Sequence, residues 1–289
     1  MSEPAAAMSA VNSQLSEISP AHAQYLNMLK RKKITVRATQ FIILFLCVAL
    51  WEILARAAII DPFITSQPSR IIRTIGVLYN EGALFQHIGV TCLETIIGFL
   101  LGTVSGVLCA IALWWSKFLS EVSEPYLVVL NSLPKIALGP VFIVWIGAGP
   151  VAIIVMTLAI SLIVTILEVL NGFMGVDQQK IKLVHSFGGT KYQVLTKVLL
   201  PASFPSIINA LKVNVGLSWV GVIVGEFLVS RAGLGYLIVY GGQVFRRDLV
   251  MTSVVILGIA AMVMYQGVVW FESFVLRKNG HAQREEKDW

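Results

Sequence analysis

The sequence predicts an all-α, polytopic membrane protein with about six transmembrane helices, and three observations carry that reading. Of its 289 residues 56% are hydrophobic and only 13% are charged, with a mean hydropathy of +0.79, whereas soluble domains carry about 25% charged residues. The apolar residues gather in long runs, and about 20 helical residues at 1.5 Å rise are what a hydrocarbon core of ~30 Å requires. Lys and Arg concentrate in alternate loops, as expected when one side of a membrane is cytoplasmic.

The elements follow in order. Residues 1–38 form a polar arm containing Lys30, Arg31, Lys32, Lys33 and Arg37. A secretory signal would place a short apolar core near the N-terminus, followed by a small-residue cleavage site. The first apolar run here, Thr39–Ile59, is long enough to span and no such site follows it, so it is expected to be a retained helix. The remaining spans are Phe85–Trp114, Val122–Trp145, Val151–Asn171, Phe204–Val229 and Leu249–Leu276. The second carries Gly98, Gly102 and Gly106, a spacing that lets another helix approach backbone to backbone. Pro134 and Lys135 interrupt the third, and a broken span is tolerated where it faces protein or a water-filled path. The transmembrane domain is expected over residues 39–276, with a longer cytoplasmic loop at 176–201 and a cytoplasmic tail at 277–289.

With the N-terminus inside, 14 Lys and Arg fall on the cytoplasmic side and 6 on the outer side, while Lys135 and Lys212 lie within spans. Both termini are therefore expected to be cytoplasmic. The net charge of +6 is accounted for by these residues facing an anionic leaflet, which makes membrane lipid the partner of the basic surface and leaves no reason to invoke nucleic acid. Cys47, Cys92 and Cys109 all lie in apolar runs and are read as packing residues rather than a disulfide framework.

The loop from Val176 to Pro201 is the most informative segment. Asp177 can cap a short helix with Ile181 and Val184 on one face, and Gly188-Gly189 then breaks it. Thr190 followed three residues later by Gln193 makes a capping box for a second helix, which presents Tyr192, Leu195 and Leu199 as a narrow apolar stripe before ending at Pro201. Two readings fit this helix–glycine–helix element. It docks into a groove on a partner, or it lies on the headgroups as an interfacial hairpin assisted by its lysines.

At this loop the chain resembles the permease subunits of binding-protein-dependent ABC importers, whose cytoplasmic loop reads Glu-Ala-Ala, three residues, Gly, nine residues, Ile-x-Leu-Pro. Here Gly188 is followed by nine residues and then Val198-Leu199-Leu200-Pro201, while Lys182, Leu183 and Val184 stand where the family has Glu-Ala-Ala. The proline-centred segment Asn131–Pro140 running on to Trp145-Ile146-Gly147 is similar to that of the nitrate/sulfonate/taurine branch. So are Pro205, Trp219, Glu226 and Gly233–Leu237 in the fifth span and the turn after it. Glu94 departs from the Arg often found in that branch. The resemblance covers roughly residues 98–237.

The resemblance implies a type I ABC importer permease fold and a set of partners. These are cytoplasmic ATP-binding subunits that hold ATP and Mg, an extracytoplasmic solute-binding protein, and a second permease subunit, most simply an identical copy. It implies localisation to the bacterial inner membrane and a path for a small nitrate-, sulfonate- or taurine-like solute. It also assigns coupling to the ATPase to Val184, His185, Phe187, Gly188, Gly189, Tyr192, Leu195 and Pro201, with the apolar members filling the partner's groove.

Chemistry within the chain points the same way. No Gly-x-x-x-x-Gly-Lys-Ser/Thr phosphate cradle is present, and His22, His87, His185 and His281 form no metal-ligand spacing. No nucleophile–base arrangement is readable either, so no catalytic residue, cofactor or metal is assigned to this chain. Asn131, Ser132, Lys135, Asn214, Ser218, Trp219 and Glu226 are the candidates for lining the path, since ionisable and polar groups in a membrane interior usually face protein or water. For Lys135 the alternatives are an anion in the path or a nearby acid. For Glu226 they are ordering a gate, contacting the binding protein, or pairing structurally. A stand-alone secondary transporter and an importer of a thiamine-precursor pyrimidine remain the alternative functions.

Overall fold

The computed structural model describes residues 20–61 and 65–278. The start of the polar arm and the tail holding His281, Arg284 and Lys287 lie outside them. Among the described residues all regular structure is helical, and the chain divides into two compact units after Ser69.

The first unit is built on one helix, α1 (Pro20–Arg56). Pro20 suits a first helical position, where an N–H would have no partner, and the basic cluster after it contains no breaker. The expected polar arm is thus helical from Pro20 onward, and the span lies in the apolar portion Arg31–Arg56. Glu52 closes the helix end. One carboxylate oxygen accepts from Arg56 Nε at 2.5 Å and the other from the Ser69 backbone N–H at 3.0 Å.

The remaining helices are α2 (Pro68–Asn80), α3 (Ala83–Trp115), α4 (Lys117–Ser132), α5 (Gly139–Ile146), α6 (Pro150–Met174), α7 (Gln178–Ser186), α8 (Lys191–Val194), α9 (Phe204–Val229), α10 (Leu234–Gln243) and α11 (Arg247–Lys278). Five helices are long and apolar enough to cross a membrane, or six if α4 and the segment Lys135–Ile146 form one span. That pair is bent by 87° at the break. The bend has a local cause: Pro134 drives Leu133 into an extended conformation (φ −64°, ψ 138°), and the helix cannot continue through it. The expected spans are recovered, with α9 matching Phe204–Val229 at both ends. Two shorter helices, α2 and α10, were not expected. The first buries Ile71, Thr74 and Leu78 along one stripe.

The core is a triple of α3, α6 and α9. Gly98, Gly102 and Gly106 on α3 face Thr157, Ser161 and Thr165 on α6, three pairs in register at successive turns. A Cβ at those glycines would stand 2.6 Å from Thr157 Cγ2, 2.5 Å from Ser161 Oγ and 2.6 Å from Thr165 Cγ2. From the other side Gly221 of α9 packs so closely that a Cβ there would lie 2.6 Å from Thr157 Cα, a backbone atom. Thr157 and Thr165 turn their hydroxyls back onto the carbonyls of Ile153 and Ser161, both at 2.9 Å, leaving their methyls for the glycines.

Gly221→Val therefore forces α9 away from α6, and overpacking of this kind costs about 1–3 kcal/mol. The control is Gly216→Val on the same helix, where nothing lies within 4 Å of an added Cβ. Thermal unfolding of the detergent-purified variants should show a lowered midpoint for Gly221→Val, and equal midpoints would refute the close-approach argument.

Candidate functional site

The loop after α6 has the local structure its sequence dictates. Asp177 accepts the Gln179 backbone N–H at 2.8 Å and starts α7. Gly188 takes φ 74°, the left-handed conformation that reverses the chain cheaply only for glycine. The capping box is formed in both directions: Thr190 N–H donates to Gln193 Oε1 at 2.8 Å, and Gln193 N–H donates to Thr190 Oγ1 at 3.3 Å. Residues Leu195–Leu199 widen into a π-helical turn. Pro201 supplies the reason, since it has no N–H and its ring crowds the carbonyl four residues back.

The apolar side chains of this loop divide between two directions. Phe187 is 84% exposed, and Leu183 and Tyr192 are also exposed, so they form an outward apolar tip. His185, on the same side, places Nδ1 3.2 Å from the Gly189 carbonyl. Val184 is half-buried and packs against Gly189, while Pro201 is exposed. Leu195 and Leu199, by contrast, are buried in a cluster with Ala110, Val169 and Phe173. This corrects the expectation that Leu195 fills a partner's groove. The apolar stripe of the second loop helix mostly faces its own bundle, because the ends of α3 and α6 offer a nearer apolar surface. Sequence reasoning missed Leu183, which occupies an Ala position of the family motif, and Lys191. The latter donates to the Trp115 carbonyl at 2.5 Å and sits 5.5 Å from the centroids of both Trp114 and Trp115, fastening the loop to the end of α3.

At the opposite end of the same three helices, Glu226 organises the turn after α9. It is 1% exposed. Its Oε1 accepts from Thr91 Oγ at 2.7 Å and its Oε2 accepts from the Gly235 N–H at 2.6 Å. Thr91 Oγ in turn accepts the Leu234 N–H at 2.7 Å, and His87 Nδ1 accepts the Gly233 N–H at 2.9 Å. The carboxylate thus sits at the N-terminal end of α10, where free N–H groups favour an anion. Of the alternatives open in the sequence, this geometry is the structural one. His87 and Thr91 carry no sequence signal linking them to residues about 140 positions away.

The other polar residues separate into two groups. Asn131 and Ser132 are exposed at the break after α4 and Lys135 is half-buried there. Lys135 Nζ donates to the Asn131 carbonyl at 2.9 Å, so it caps its own helix instead of meeting an acid. Asn214, Ser218 and Trp219 are buried inside the chain's own core, where Asn214 Nδ2 donates to Thr103 Oγ1 at 2.7 Å. Lys212 pairs with Glu272 at 2.7 Å, tying α9 to α11. Among the described residues no group of three His, Cys, Asp or Glu is placed to hold a metal ion, and all three cysteines are free.

Residues 98–278 match the family described as binding-protein-dependent transport system inner membrane component. The chain belongs to this family. It lies in the sulfonate and taurine branch of ABC importer permeases. The putative aliphatic sulfonates transport permease protein SsuC of Bacillus subtilis (strain 168) is 27% identical over 212 residues, covering 73% of this chain and 77% of the relative. The formylaminopyrimidine transport permease protein ThiX of Halalkalibacterium halodurans is 28% identical over 248 residues, covering 83% and 97%. Among solved structures, a bacterial ABC transporter involved in the import of the acidic polysaccharide alginate superposes with a TM-score of 0.61 at 14% identity, covering 87% of this chain and 99% of that one. The fold is that of a type I ABC importer permease, and the protein is a multi-pass membrane transport subunit.

The loop's two faces have different consequences in this permease. Leu195→Ala should lower the stability of the isolated subunit by about 2–5 kcal/mol, the usual cost of emptying a buried leucine site. Phe187→Ala should leave it unchanged. Melting of the two variants in one detergent checks this, and a matched pair of curves would contradict the assignment of faces.

Proposed function

We propose that this permease forms the membrane path for a small sulfonate-like solute, delivered by a solute-binding protein and driven by separate cytoplasmic ATPase subunits. The observation that carries the reading is the loop: an outward apolar tip of Leu183, Phe187 and Tyr192 on a base anchored by Leu195, Leu199 and Lys191. An exposed apolar tip on a rigid base suits insertion into a groove of a partner. An interfacial hairpin would gain nothing from that anchoring.

The mechanism follows from the anchoring. ATP and Mg, bound by the partner, close two ATPase subunits together. The tip moves with the groove that holds it, and its base passes the displacement to the ends of α3 and α6. Two copies of the permease pair so that Asn131, Ser132 and Lys135, exposed at the broken span, face a shared path. Asn214, Ser218 and Trp219, packed within the subunit, support that path instead of lining it. Both termini and the loop lie on the cytoplasmic side, following the excess of Lys and Arg there. The turn fixed by Glu226 then lies on the outer side, where the binding protein delivers its solute. The permease contributes no residue to ATP hydrolysis.

The test is reconstitution with the ATPase and binding protein encoded beside it. Solute-dependent ATP hydrolysis is expected, and Phe187→Ala or Tyr192→Ala should reduce it at least about tenfold while leaving the permease folded, since interface anchors commonly contribute 1–2 kcal/mol or more. Gly188→Val, strained at φ 74°, should likewise abolish stimulation without blocking membrane insertion. If no ATPase copurifies with the permease, the importer reading fails.

A further inference from the structure

A cleft of about 470 Å³ opens between the N-terminal ends of α3 and α6 and the turn after α9. Its volume falls in the range of about 300–1,000 Å³ typical of small-molecule sites. It lies at the end of the bundle away from the loop, so on the proposed orientation it faces the outer side.

Two groups of opposite chemistry line it. Glu94 is 4% exposed, and its Oε2 has no hydrogen-bond partner. A buried acceptor left unmatched is rare in native structures and asks for an explanation. Its neighbour is the Glu226 carboxyl, already saturated by Thr91 and the Gly235 N–H. Arg231 lies on the turn lining the same cleft, exposed and without an ion pair among the described residues. Between them the walls are apolar, formed by Val90, Pro150, Ile153 and Val229. The first turn of α6, a 25-residue helix, adds backbone N–H groups that favour an anion at its start.

We propose that this cleft takes a short zwitterion, with its ammonium donating to Glu94, its anionic head on Arg231 and its alkyl linker against the apolar walls. An aminoalkanesulfonate has this form. The inference rests on the importer reading and narrows its substrate class from sulfonates in general to amino-sulfonates.

The test is binding of tritiated 2-aminoethanesulfonate to the permease–ATPase complex in nanodiscs of phosphatidylglycerol and phosphatidylcholine, without the binding protein. Copurification of the ATPase in the same preparation reports on the importer reading separately. The radioligand should be displaced by unlabelled 2-aminoethanesulfonate and at least about tenfold less well by ethanesulfonate, which lacks the donor the site is built to receive. Glu94→Gln should weaken binding of the zwitterion at least tenfold and that of ethanesulfonate little. Arg231→Gln, at an exposed position that does not threaten folding, should weaken both. Equal displacement by the two sulfonates, unchanged binding in both variants, or no binding by an intact complex would overturn the proposal. β-Alanine competing as well as the sulfonate would overturn the sulfonate assignment, and competition by added phosphatidylethanolamine would make a lipid headgroup the occupant.

Discussion

The contact on which the rest of this permease depends is the close approach of α3, α6 and α9 at Thr157. In a bilayer the lipid tails are as apolar as any side chain, so helices are not driven together by the hydrophobic effect and must gain from close packing. Here glycines approach Thr157 from two sides, Gly98 from α3 and Gly221 from α9. The register repeats down α3 at Gly102 and Gly106 against Ser161 and Thr165. Larger residues at these points would separate the helices and remove the contacts for every turn on either side.

This triple links the two ends of the molecule. At one end Phe173 and Val169 of α6 and Ala110 of α3 form the socket for Leu195 and Leu199 of the loop. At the other, Thr91 of α3 and Glu226 of α9 hold the turn that begins α10. The length of α6 between them is roughly 37 Å at 1.5 Å per residue. A packed helix of that length does not absorb a displacement at one end, because protein interiors are close-packed and transmit strain. The loop can therefore communicate with the far end through position alone, with no chain of polar contacts required.

Much of this was legible in the sequence wherever the rule is local. The bend at Pro134, the left-handed Gly188, the Asp177 cap and the Thr190–Gln193 box each depend on residues within three or four positions, and each is formed. The glycine register of α3 was legible too, although its partner helix was not. What failed to show was direction. Tyr192, Leu195 and Leu199 share a stripe in sequence, yet Tyr192 points outward and the other two inward, because the socket they fill comes from helices before the loop. The path candidates divided for the same reason: Asn214 and Ser218 look like Asn131 and Ser132 in sequence, and only tertiary packing buries one pair and exposes the other. The helix α2 carried a readable signal in the spacing of Ile71, Thr74 and Leu78, but it is too short to register as a span.

Glu226 shows how one costly residue fixes the identity of others. An ionisable group in a membrane interior is retained only where it is matched, and here the match comes from a hydroxyl on α3 and a backbone N–H on α10. A Cβ on Gly233 or Gly235 would collide with the Glu226 carboxylate itself. The two glycines are thus required by the side chain they surround, and the turn cannot take its shape without both. An apolar residue at 226 would spare the desolvation cost, but it would leave the Gly235 N–H with no acceptor and the start of α10 with no fixed place. A buried polar knot of this kind serves to specify one arrangement of helices more than to stabilise it. In a protein whose spans pack by shape alone, that specification is what sets where the turn between α9 and α10 stands.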